Sequence, residues 1–307
     1  VRAGILVLDK PRGPTSHDAV AVVRRALRTG EVGHAGTLDP MATGVLIVAV
    51  GEATKLVPYL TLAEKEYEAT VVVGQETDTL DAMGKLTRES AIDDDLRQGL
   101  SDAEPGPRIK AALWGERTRT SQVPPAFSAI QEGGVRAYTR ARRGEDVVLP
   151  AREVRVHVLE VLAMRASPVP SLDVRIRADK GYYVRSLARD LAAALGTVGH
   201  LSALRRLASG SFTVTHAIPL GSPPEALAAH LVPLDDAAKR ALPSAVLSES
   251  GLRDARFGRP IARSELSPIP LAGEPAAWLD AEGRLVAIGV ADEEVGRVVR
   301  GFRARDE

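Results

Sequence analysis

The stretch GHAGTLDPMATGVLIVAVGEATK, residues 33 to 55, decides how the chain is read. It opens as a glycine-rich loop and hardens into the unbroken apolar run VLIVAV, residues 45 to 50. A short run of that kind, rich in β-branched residues and bounded by glycines, predicts a buried strand. Asp39 and Pro40 stand in the loop before it, between Gly36 and Gly44. An Asp-Pro pair is ordinarily a turn and nothing more. An aspartate held by a proline and backed by a buried strand is also where a fixed carboxylate would be placed for chemistry.

Working outward, GILVL at residues 4 to 8 reads as a buried strand closed by Asp9, Lys10 and Pro11, since proline cannot continue a central ladder. Thr15 or Ser16 offers an N-cap to HDAVAVVRRALRTG, with Asp18 in the first turn, arginines late and Gly30 as the left-handed stop. KEYEATVVVG, residues 65 to 74, carries Tyr67 on or just before a strand, and GQETDTLDAMG after it reads as a polar turn. Helices are expected at Ala91 to Leu100 and around Ile109 to Leu113. The segment from Pro124 to Pro150 is bounded by prolines, rich in arginine and poor in aliphatic residues, which suggests a protruding flap.

VRVHVLEVLAM and SLDVRIRAD alternate as half-buried strands do. YYVRSLARDLAAALG passes from a strand end into a helix stopped at Gly196, HLSALRRL is expected to be a short helix, and SGSFTVT a strand. From about Pro233 prolines multiply around the strand-like pieces AAWLD, LVAIGVA and RVVRGF, which predicts a small β-rich C-terminal domain.

The 307 residues suit a large domain plus a small one, and 45% hydrophobic against 26% charged residues supplies a core and excludes wholesale disorder. There is no cysteine, so disulfides and thiolate metal sites are impossible and a reducing, cytoplasmic setting fits. No apolar run approaches a membrane span or a signal-peptide core. Forty basic residues balance forty acidic ones. Their distribution says more, with basic clusters at Arg136 to Arg143, Arg175 to Arg189, Arg205 to Arg206 and Arg297 to Arg305 that suit a polyanion.

Four strings, KPRGPTSHDAV, GHAGTLDPMATGVLIVAVGEATK, KEYEATVVVGQETDTLDAMG and KGYYVRSLARDLAAALG, come in one order over roughly residues 4 to 215. Together they resemble the motifs of the bacterial tRNA pseudouridine-55 synthases. The resemblance implies an α+β fold: a mixed, mainly antiparallel sheet with flanking helices, followed by a small PUA-like β domain. It implies a catalytic domain at 1–235 with an RNA-clamping insertion at about 122–150, and the PUA-like domain at 236–307.

In that family the aspartate matching Asp39 is the nucleophile, and the arginine matching Arg185 pairs with it. The tyrosine matching Tyr67 stacks on the target base and can relay a proton. His34, Tyr183 and Leu204 match residues lining the pocket. Arg136, Tyr138, Arg140, Arg142 and Arg143 belong to the flap that would close over the T loop of tRNA. The Asp39 and Arg185 pairing has a physical reason. Burial favours protonation of a carboxylate, whereas a guanidinium, always charged and two-pronged, keeps it ionised. The reaction breaks the N1 to C1′ bond, turns the uracil and rejoins it through C5. Neither cofactor nor metal is called for, nor is a protein partner, and a monomer is expected. Asp39 could attack C6 or C1′, or assist elimination through a glycal.

Two positions depart from the pattern: Gln131 stands where many relatives carry lysine, which would remove a phosphate contact, and Met41 replaces a leucine with little change in volume. A zinc hydrolase or deaminase is opposed by six histidines without paired spacing and by the absent cysteines. A pure RNA-binding protein would have no use for Asp39, Tyr67 and Arg185 together. An RNA-guided relative would be expected to carry long basic extensions, which the sequence lacks.

Overall fold

The computed structural model describes residues 2–128 and 130–303, without the side chains of Glu132 and Arg136. Arg305, at the end of one basic cluster, lies outside the described residues. The chain divides into two compact units. One holds residues up to Leu38, Val45–Ala63 and those from Gly210 on; the other holds Asp39–Gly44 and Glu64–Ser209.

The second unit is built on four long strands in the order Val156–Arg165, Ser171–Ala178, Lys65–Val73 and Gly199–Ser209, each antiparallel to the next. Thr43 and Gly44 then pair in parallel with Arg205 and Arg206. The sheet is therefore mixed and mainly antiparallel. Its inward residues are buried Val, Leu and Ile, among them Val71, Leu172, Val174, Ile176 and Leu201. The helix Val184–Ala194 packs on this sheet through Leu187, Ala188, Leu191 and Ala192. Helices at Asp94–Ser101, capped by the Asp93 carboxylate accepting from the Leu96 N–H, and at Pro107–Arg117 complete the layer.

HLSALRRL is not a helix. It lies within the strand Gly199–Ser209, paired along both edges. Two bulges, between Leu201 and Ala203 and between Arg206 and Ala208, each add a residue. The buried positions Leu201 and Leu204, then Arg206 and Ser209, thus fall three apart. That spacing imitates a helical period.

In the first unit the strand Gly4–Lys10 lies beside Val45–Val50. Val32–Ala35 pairs with Val50 back to Ile47, and Leu8 with Ile218. The helix Ser16–Leu27 begins with a reciprocal cap between Thr15 and Asp18. Its left-handed stop is Arg28, at φ 51°, and not Gly30. At Arg28 the left-handed turn lets the following Thr29 N–H fold back on the Arg24 carbonyl at 3.2 Å. A C-terminal sheet runs in the order Ile261–Ala262, Val295–Gly301, Leu285–Ala291, Pro275–Leu279, Ser244–Leu247, Leu266–Ser267. The fully buried Trp278 ring lies flat on Gly289, where any Cβ would sit 2.2 Å from it. Leu279, Leu285 and Ile288 of this sheet share one apolar core with Ile5, Val7, Ile47 and Leu56.

Candidate active site

Asp39 follows Leu38, whose N–H donates to the buried Ser16 hydroxyl at 2.9 Å and whose carbonyl accepts from it at 3.1 Å. After Asp39 the chain turns over Pro40 and Met41, and the Ala42 N–H closes onto the Asp39 carbonyl at 3.0 Å. Proline presets the first central position of such a turn. Two residues on, Gly44 has φ +96°, and a Cβ there would lie 2.2 Å from the Arg206 carbonyl oxygen. Only glycine allows so close a passage. Both ends of the Asp39 segment are thus fixed by backbone contacts.

The Asp39 carboxylate lies 2.9 Å, Oδ2 to Nε, from Arg185. The Asp39 side chain is 34% exposed and that of Arg185 only 6%. The carboxylate thus faces solvent with a buried guanidinium behind it. Arg185 donates through one terminal nitrogen to the Thr79 carbonyl at 3.0 Å and through the other to the Phe127 carbonyl at 2.8 Å. A buried fork filled on every prong cannot swing, so it holds its carboxylate in one place. Arg185 lies in the first turn of its helix, where the dipole opposes a cation. The opposing field comes from Asp39 and from a second carboxylate, that of Asp81.

Asp81 is the residue that sequence reading missed. It is buried, its Oδ2 lies 3.8 Å from the Arg185 Nε, and its Oδ1 accepts from the Thr79 hydroxyl and the Met83 N–H, both at 2.9 Å. The segment GQETDTLDAMG reads as an ordinary polar turn, and nothing in it separates Asp81 from Asp78. The mark of its role is structural: Leu80 beside it takes φ +60°, a strained setting for leucine.

Tyr183 caps the helix that carries Arg185. Burial pushes its hydroxyl above the ordinary tyrosine value, while Arg152 and Arg185 pull it back and Asp39 raises it. Tyr67 pairs with Arg206, and Leu204 with Ala69. Directly opposed residues project to one face of a sheet. Tyr67 and the buried Leu204 therefore share a face, with Arg206 linking them to Gly44 in the next strand. Lys65, two residues before Tyr67, is brought down to about 8 by burial and by the charges of Arg206 and Lys180. His34 lies in the first unit on the Val32–Ala35 strand, its ring edge-on to His17 at 5.3 Å.

The flap carries a short hairpin, Gln131–Glu132 with Val135–Arg136, and a helix, Ala137–Arg142, over a small core of Ala137, Val147 and Leu149. The Arg142 guanidinium lies over the Tyr138 ring, 5.5 Å from its centroid, and Arg142 and Arg143 are exposed. The Arg136 side chain, assigned to RNA contact from the sequence, lies outside the described residues. One group among the described residues has metal-ligand proximity, His157 with Asp179 at 2.7 Å and Glu64 at 3.4 Å. Arg177 also pairs with Glu64 at 3.3 Å, so one of the two carboxylates already has a cation.

The backbone matches solved structures over nearly its whole length. One is a Cbf5-Nop10-Gar1 complex, at TM-score 0.73 and 25% identity over 98% of this chain and 84% of that one. Another is an H/ACA ribonucleoprotein bound to a substrate RNA containing 2′-deoxyuridine, at TM-score 0.71 and 24% identity, which shows the fold. Mixed, mainly antiparallel sheet, helices and C-terminal β sheet together define an α+β fold shared with these structures.

The sequence comparisons narrow that class. Residues 24–184 match the model for the TruB family pseudouridylate synthase (N terminal domain), and residues 185–239 that for the tRNA pseudouridylate synthase B C-terminal domain. The tRNA pseudouridine synthase B of Thermobifida fusca is 44% identical over 93% of both chains, and that of Nocardia farcinica 45% identical over 93% of this chain and 88% of its own. The chain belongs to the TruB family of tRNA pseudouridine synthases. Among the described residues no helix is long and apolar enough to cross a membrane.

Proposed function

We propose that this chain converts uridine 55 in the T loop of tRNA to pseudouridine, with Asp39 as the nucleophilic carboxylate. One observation supports this reading above the rest: a solvent-facing carboxylate 2.9 Å from a buried, fully occupied arginine. Nucleophilic catalysis needs a fixed group that the substrate can still reach, and this carboxylate is held by a buried guanidinium while its other side stays open to solvent.

The target base leaves its stack to reach Asp39, as bases do in enzymes that act on them. Tyr67 stacks on the extruded uracil and can carry the proton that leaves C5, while Tyr183 and Leu204 line the pocket. The N1 to C1′ bond breaks with its electron pair on the uracil, which turns and rejoins through C5. The C5 hydrogen departs as a proton, and N1 ends protonated. Addition at C6, attack at C1′ and a glycal route all use the same carboxylate. Atoms balance without a redox step, so no cofactor or metal enters.

Tyr138 and Arg142 close over the loop, and phosphate contacts there make binding fall with salt. The reading includes the division into a catalytic part, 1–235, and a PUA-like part, 236–307. It also includes action as a cytoplasmic monomer without a protein partner. Its test is pseudouridine mapping on T-loop-labelled tRNA after incubation with the protein. Conversion at position 55 alone is expected, and conversion elsewhere or nowhere overturns the assignment.

A further inference from the structure

The helix bearing Arg185 has an unusual start. Its cap residue is Tyr183, which offers no side-chain cap to the first turn, and the free N–H groups of a helix start need partners. The Tyr183 N–H finds its partner in the strap that leads into the flap. Gln122, 2% exposed, accepts from the Tyr183 N–H through Oε1 at 2.8 Å and donates through Nε2 to the Tyr183 carbonyl at 3.1 Å. One amide thus grips both polar atoms of a single residue's backbone. The neighbouring Val123 carbonyl accepts from the Ser186 hydroxyl and from Arg189, both at 2.9 Å. Five residues along the strap, the Phe127 carbonyl is one of the acceptors that fix Arg185 itself.

We infer that Gln122 is a positioning residue for the reaction: its buried amide clamps Tyr183 and so sets where Arg185 presents Asp39. Both side-chain hydrogen bonds given above for Gln122 go to the Tyr183 backbone; through it Gln122 holds the frame from which both Arg185 and the pocket residue Tyr183 project. A packing role alone would not require a donor and an acceptor at one side chain. Hydrogen bonding at both ends of a backbone unit fixes its rotation, and small misplacements of catalytic groups are costly in rate. The inference rests on the catalytic reading of Asp39 above.

The test is single-turnover conversion at saturating protein, with tRNA binding and thermal unfolding measured alongside, for Gln122→Leu, Gln122→Glu and Asp39→Asn. Gln122→Leu is expected to slow conversion roughly tenfold to a hundredfold, the scale of a misplacement under about 1 Å, while tRNA binding changes little. Gln122→Glu carries the sharper signature. A protonated carboxyl offers the same donor and acceptor as the amide, and an ionised one offers acceptors alone. Its rate relative to the parent at the same pH should therefore be higher at about pH 5.5 than at about pH 8, which bracket the titration of a buried glutamate.

If Gln122→Leu does not fold, the Gln122→Glu profile still decides. A Gln122→Leu protein that reacts at the parent rate overturns the inference. So does a Gln122→Glu protein whose relative rate is flat with pH. Turnover by Asp39→Asn would instead sink the catalytic reading, so the two failures are separable.

Discussion

The Arg185 centre and the flap lie in the same compact unit and are built on opposite principles. At the centre a guanidinium is buried to 6% and bound on every side by Asp39, Thr79 and Phe127. In the flap Arg142 and Arg143 are exposed at the end of a short helix over a core of Ala137, Val147 and Leu149. Chemistry on a base needs a carboxylate that does not move. Recognition of a folded polyanion needs charges that adapt to it, and exposed arginines on a small element do so at little cost in stability. One residue type serves both ends because its surroundings differ.

The comparison breaks first at the centre. Arg185→Lys keeps the charge and loses the fork, leaving the Thr79 or Phe127 carbonyl without its donor. Turnover should fall on the order of 10²-fold, the loss typical of removing one preorganised polar contact, with tRNA binding retained. Near-parent turnover would show that charge alone suffices there. Gly44→Ala tests whether the Asp39 segment is anchored as firmly. Its Cβ would meet the Arg206 carbonyl at 2.2 Å with φ at +96°, and thermal unfolding should show a loss of about 2 kcal/mol or more.

The flap should respond in another currency. Arg142→Ala is expected to weaken tRNA binding a few-fold and to make the plot of log affinity against log salt shallower by about 1. Conversion at saturating protein should hold. A large loss of rate with unchanged salt dependence would place Arg142 with the centre.

The smallest effect is electrostatic. Lys65, buried beside Tyr67, has its ammonium lowered from 10.5 to about 8 by burial, Arg206 and Lys180. Between those values the unfolded chain binds a proton that the folded one does not. Stability therefore rises with pH from about 8 toward 10.5 and is lost as pH falls through 8. Lys65→Met should flatten that rise in denaturant titrations across the window. An unchanged slope would mean that other groups produce it.

What could be read in the sequence follows from what local pattern encodes. The Val45–Val50 strand, the capped helix after Thr15 and the alternating strands before Asp179 are written in periodicity and turn residues. HLSALRRL was misread because bulges spaced its buried residues like those of a helix. Asp39 and Arg185 were legible through the long motifs around them and not through any local property of either. Asp81, Ser16 and Gln122 were not legible, since each acts through a partner 22 to 104 positions away that periodicity does not reveal. Examples are the Ser16 hydroxyl on Leu38 and the Gln122 amide on Tyr183.

The most direct test of the central claim is tritium release from tRNA carrying 5-³H-uridine, comparing the intact protein with Asp39→Asn. Joining C5 to C1′ must expel that hydrogen, and the amide keeps the shape of the carboxylate without its charge. The account predicts release by the intact protein and none by Asp39→Asn, which still binds tRNA. Release by both at similar rates would show that the carboxylate beside Arg185 is not the group that does the chemistry.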